Sequence, residues 1–86
     1  VLDSAGQQLE RARRFAEAQA LYEQAVDVEP SAEELYRRLM VCLSAQGHRA
    51  EAMEVYRRCR RHLSIVLGIP PAAATDALYR SLASGK

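Results

Sequence analysis

Eighty-six residues make one small domain, and 49% hydrophobic with 27% charged residues is an ordinary globular balance that excludes wholesale disorder. A chain of this size buries only about 60% of its unfolded surface, which leaves little room for an internal cofactor cavity. The net charge is +1, so there is no overall pull toward nucleic acid or membrane, and no apolar run approaches the roughly 18–20 residues of a membrane span.

In chain order, apolar residues recur at steps of three and four, and Ala, Leu, Glu, Arg and Gln dominate. The spacing predicts helices over about 4–13, 16–29, 32–46, 49–67 and 73–83, an all-α fold. Ser4 and Gln7 have the spacing of a weak capping box. Ser31 and Glu34, after Pro30, form a stronger one and are expected to open the third helix. Gly47 reads as a helix stop, and Gly68-Ile69-Pro70-Pro71 as a sharper one. The clearest apolar stripe is Ala52, Tyr56, Cys59, Leu63, Val66 and Leu67, all expected to face inward. Leu78, Tyr79 and Leu82 give the last helix a short stripe with which to cover the fourth.

The charge is unevenly placed. Residues 1–34 carry three Arg against eight acids; residues 35–86 carry eight Arg and one Lys against three acids. Solvated helix faces produce such a pattern, and so does head-to-tail attraction between copies. The two cysteines, Cys42 and Cys59, lie on apolar stripes without CxxC or zinc-ligand spacing. They are expected to be small buried hydrophobes in a reducing cytoplasm, with a disulfide as the lesser alternative.

No catalytic, cofactor or metal site is expected. His48 falls in a turn and His62 among arginines, neither with an acid and a nucleophile at useful spacing, and the four glycines form no phosphate loop. The run Arg57, Arg58, Arg60, Arg61 and His62 is the most conspicuous patch. It reads as a solvated face, as a partner for acids such as Glu23, Asp27 or Glu29 of another copy, or as a contact to DNA phosphates. No aromatic residues interleave it as a single-strand platform requires.

Shifting the sequence by 34 superposes Ala18 on Ala52, Tyr22 on Tyr56, Ala25 on Cys59, Leu9 on Leu43 and Arg13 on Gly47. A small residue, an aromatic and a second small residue at this period, with Pro30 closing the unit, resemble the tetratricopeptide repeat. The resemblance implies two antiparallel helix pairs plus a C-terminal capping helix in a right-handed solenoid. In that family the first helix of each pair lines the concave face. Here that face would hold Asp3, Gln7, Glu10 and Arg11, then Glu34, Arg37, Val41, Ser44 and Ala45. The family's clamp for C-terminal carboxylates is not matched, because Asp3 and Gln7 stand where Lys and Asn are needed.

The second half is more specific. Glu33-Glu34-Leu35-Tyr36-Arg37-Arg38-Leu39-Met40, then Gly47-His48-Arg49-Ala50-Glu51-Ala52, then Tyr56-Arg57-Arg58-Cys59-Arg60 and Leu67-Gly68-Ile69-Pro70-Pro71 strongly resemble the bacterial transcriptional activator domain over about residues 8–83. That module lies beside a winged-helix DNA-binding domain in antibiotic-regulatory-type activators. The chain departs from the family pattern at Val66, often Glu, and at Pro70 and Ala72, usually an acid and a Ser cap. The resemblance implies a non-catalytic interaction or oligomerisation module. Its partner would be another copy, the transcription machinery or a neighbouring regulatory domain. DNA would be read by a separate domain outside this chain, and no membrane would be involved. The start at Val1 rather than Met leads one to expect a fragment of a larger regulator. The alternative is a general tetratricopeptide adaptor that grips a peptide through Arg37 and Val41.

Overall fold

The computed structural model describes the backbone of residues 2–84 and the side chains of residues 5–84. Among these residues the chain is all-helical, with no strand: α1 (Leu2–Arg11), α2 (Phe15–Val28), α3 (Glu33–Ala45), α4 (Arg49–His62), a π-helical turn (Leu63–Leu67) continuing α4, and α5 (Ala73–Ala83). Each helix packs on the next, and α5 packs on both α4 and α3.

The two helix-to-helix turns repeat at the 34-residue shift. Arg13 and Gly47 both adopt positive φ, +60° and +82°. Next comes the N-cap of the following helix, Arg14 (φ −97°, ψ 64°) or His48 (φ −95°, ψ 60°). The amide of Arg14 donates to the Leu9 carbonyl at 2.9 Å, and that of His48 to the Leu43 carbonyl at 2.8 Å. The left-handed backbone suits Gly47 and strains Arg13, whose Cβ crowds the adjoining carbonyl.

The core follows the sequence stripes. Ala18 and Ala52 are both fully buried, and Tyr22, Ala25, Tyr56 and Cys59 lie inside with them. Small side chains let the paired helices approach closely. Gly6 extends this to α1: a Cβ there would lie 2.5 Å from Cζ of Tyr22. Its 34-residue counterpart is Met40, which is fully buried. The hydroxyl of Tyr22 donates to Glu10 on α1, whereas that of Tyr56 donates to Asp76 on α5 at 2.7 Å. The Tyr56 ring also stacks on Tyr79, with centroids 4.1 Å apart and planes at 18°. The last helix therefore covers the fourth, with Leu82 buried and Tyr79 on the tyrosine.

Three expectations are corrected. The Ser31–Glu34 capping box does not form, because Pro30 and Ser31 sit inside a turn closed by the Ala32 amide on the Glu29 carbonyl (3.0 Å). The α3 N-cap is Ala32, without a side-chain cap; Ser31 instead meets Nε2 of His62 at 3.1 Å, and Glu34 accepts from Arg38. The first helix runs over Leu2–Arg11 rather than 4–13, ended by the turn at Arg13, and the Ser4 side chain lies outside the described ones. Val66 and Leu67 do not face inward but are 58% and 50% exposed. An i→i+5 turn winds more slowly than an α-helix, so the side chains after Leu63 leave the stripe.

The start of α5 is held from a distance. Ala72, its N-cap, has no side chain with which to cap. Glu33 of α3 reaches across instead, accepting from the Ala72 amide and from the Thr75 hydroxyl, both at 2.5 Å. Thr75 is fully buried and also accepts from Arg37 at 2.9 Å. A carboxylate from another helix thus does the work that the third residue of a capping box does locally.

Candidate interaction surfaces

One side of the molecule is lined by α1, α3 and α5. Gln7, Glu10 and Arg11 border a shallow groove with Phe15 and Arg38. Glu10, Glu34, Arg37 and Val41 border a second one of about 360 Å³ with Arg38, Ala74 and Leu78. Ser44 is exposed and borders neither. The two grooves meet at Glu10 and Arg38. The Arg38 guanidinium lies 3.6 Å from Glu10 and 3.1 Å from Glu34, and Glu10 also receives the Tyr22 hydroxyl. Burial first, and then the Glu10 carboxylate, push the Tyr22 phenol well above the ordinary tyrosine range. Arg37 is engaged by Thr75 and lies 3.9 Å from Glu33, so the cap of α5 occupies the residue a peptide adaptor would use. The Asp3 side chain lies outside the described ones. Arg38 and Gly6 were not singled out in the sequence. Gly6, the one glycine inside the first helical stripe, carries a readable signal; nothing in the local sequence sets Arg38 apart from its neighbour Arg37.

A different surface forms where α4 ends. Arg57, Arg58 and Arg61 are exposed along the helix, and Arg57 pairs with Glu54 at 2.9 Å. Among the described residues no carboxylate stands within ion-pair distance of Arg58, Arg60 or Arg61. Arg58, Arg61 and His62 border a groove of about 380 Å³ together with Val26, Asp27, Pro30 and Tyr36 from α2 and α3. Arg57, Arg60, Arg61, Ser64 and Ile65 border a second, of about 300 Å³. Beyond Leu63 the π turn exposes Ile65 (75%) and Val66 (58%), and Ile69, just past its end, is exposed as well. The turn ends at Gly68 in left-handed backbone, with the amides of Gly68 and Ile69 both donating to the Leu63 carbonyl.

The remaining sequence candidates are structural in position. Pro30 is exposed, and its carbonyl accepts from the Tyr36 hydroxyl at 2.8 Å. Cys42 and Cys59 are free thiols, fully buried, and burial pushes each up to about 11. His48 lies 3.4 Å from Glu51. Among the described residues no three His, Cys, Asp or Glu side chains gather as metal ligands would. No described helix is long and apolar enough to cross a membrane.

No curated protein and no solved structure matches the chain. A family model does, over residues 2–83, nearly the whole length. Its span takes in the 34-residue turns, the tyrosine-stacked last helix and the arginine-rich end of α4 alike. The chain belongs to the bacterial transcriptional activator domain family.

Proposed function

We propose that this domain is the non-catalytic, protein-binding module of a bacterial transcriptional regulator, working in the cytoplasm and leaving DNA reading to another domain. The family gives the transcriptional context. The recurrence of the same turn at a 34-residue shift supports two tetratricopeptide-like helix pairs, with α5 as the cap of a short right-handed solenoid. A stack of this kind is stiff, so it fixes the spacing of attached domains and presents a constant face to a partner.

The observation that carries the reading is the end of α4. Ile65, Val66, Leu67 and Ile69 are all at least 45% exposed, beside arginines without carboxylate partners among the described residues. Scattered exposed apolar residues are ordinary, but a cluster rimmed by charge marks interaction sites. A general peptide adaptor has less support, because Arg37 is already bound to Thr75.

The test fuses the 86-residue chain to an unrelated DNA-binding domain whose operator lies upstream of a reporter promoter in a bacterial host. Transcription is expected to rise above that given by the DNA-binding domain alone, and to return to that level with Ile65→Asp. A folded fusion that leaves transcription unchanged would contradict a recruiting role.

A further inference from the structure

We propose that the surface between the ends of α4 and α2 docks a short acidic, amphipathic helix of a partner protein. The proposal rests on the reading above and deepens it by naming the partner's chemistry.

The charge is predominantly basic. Four arginines crowd the stretch from Arg57 to Arg61, and three of them have no carboxylate within ion-pair distance among the described residues; Asp27 is the one acid that lines either groove. The helix dipole does not account for them. Basic residues compensate that dipole within the last turn, yet the helix continues past His62 through the π turn to Leu67, where the exposed side chains are apolar. The helix's own carbonyl end therefore does not account for the arginines, which are exposed and available to a ligand. Arginine suits carboxylates, which its planar fork can bind in pairs.

The apolar part is equally placed. Ile65 borders both grooves, with Arg61 beside it, so it forms a ridge between two hollows. Val26 and Tyr36 lie at the wall of the larger hollow, which is of a size to take one or two large side chains. A ligand that binds only through charge, such as a DNA backbone, leaves Ile65 and Val66 in water. A ligand with apolar side chains on one face and carboxylates on its flanks satisfies both features.

The partner's backbone form follows from the fold. With no strand among the described residues there is no edge for an extended peptide to join, whereas a helix can set its side chains astride a ridge. A second copy of this chain fits less well. The exposed acids of α2 and its C-cap, Glu17, Glu23, Asp27 and Glu29, are accompanied by a single large exposed apolar side chain, Val28, against two hollows, and Asp27 itself lines the larger hollow.

The test titrates the whole chain with a labelled synthetic peptide of about 14 residues, leucines at i, i+4 and i+7 and glutamates flanking them, by fluorescence anisotropy. Saturable binding on the order of micromolar is expected, weakening as salt is raised. Replacing the peptide's glutamates by glutamine, or its leucines by serine, should weaken binding at least about tenfold. So should Ile65→Ser and, separately, Arg58→Glu with Arg61→Glu, each with melting temperature preserved because the side chains are exposed. Absence of binding up to about 1 mM peptide, or binding indifferent to both protein variants, would overturn the proposal. It would also be overturned by self-association, seen in sedimentation, that Ile65→Ser removes. The same holds for duplex DNA or anionic vesicles bound through the arginines without dependence on Ile65. If the peptide fails but Ile65→Asp silences the reporter fusion, the acidic-helix proposal is wrong while the recruiting role stands.

Discussion

Replacing Tyr56 with alanine strikes the joint on which the last helix hangs. Its ring is 8% exposed, stacks on Tyr79 at 4.1 Å, and its hydroxyl donates to Asp76 at 2.7 Å. Truncating a buried aromatic costs about 3–5 kcal/mol, of which the stacked pair contributes roughly 0.5–1.5. A domain of 86 residues has on the order of 4–13 kcal/mol in all, so the loss is a large share. Urea melts followed by circular dichroism should show the loss, and thermal melts should show a midpoint lowered by more than about 10 °C. Tyr56→Phe keeps the ring and should cost about 1.5–3 kcal/mol, the value of a hydrogen bond to a charged group. The Asp76 hydrogen bond, and then burial, push the Tyr56 phenol up to about 12. The folded state thus prefers the protonated phenol. That contribution is complete below the ordinary value of about 10 and is lost as pH rises through the folded value. Tyr56→Phe should accordingly flatten the alkaline fall in stability. A loss below about 1 kcal/mol for Tyr56→Ala would refute the claim that this tyrosine joins α4 to α5.

Four further outcomes are expected. Ala72→Ser supplies the missing local cap and should stabilise the domain by about 0.5–1 kcal/mol. Glu33→Ala should cost about 1–3 and speed hydrogen exchange in α5, as the buried Thr75 hydroxyl loses its acceptor. At the paired turns, Gly47→Ala should cost about 1 kcal/mol by conformation alone, since nothing lies within 4 Å of a Cβ there, and Arg13→Gly should gain about 0.5–1; thermal melts of both variants check the pair. Cys42 and Cys59, with thiols raised to about 11, should react with a disulfide reagent at neutral pH only as fast as the domain opens, and at once in denaturant.

Much of this was legible in the sequence. The 34-residue shift located Ala18 against Ala52 and Tyr22 against Tyr56, because close helix packing demands small residues at fixed places. It also matched Arg13 with Gly47, two residues sharing one backbone shape. Other features were hidden for identifiable reasons. The Ser31 cap failed because Pro30 favoured a turn that the capping pattern ignores. The burial of Val66 and Leu67 was misread because periodicity assumes a constant α-helical winding, which the π turn breaks. The Glu33 contact to Ala72 spans 39 residues, beyond any local pattern. Of the residues expected on one face, Glu10, Glu34, Arg37 and Val41 border one groove, Gln7 and Arg11 border another, and Ser44 borders neither; the cap helix that engages Arg37 was not foreseeable from their register.

On the function proposed above, this domain acts in transcription by touching protein through the exposed apolar residues at the end of α4. The most direct measurement introduces Ile65→Asp into the chromosomal gene that encodes this chain, then compares transcripts across the genome and the regulator's occupancy on DNA with the parent strain. A set of transcripts is expected to fall while occupancy and protein level hold. Unchanged transcripts from a stably folded variant would contradict it.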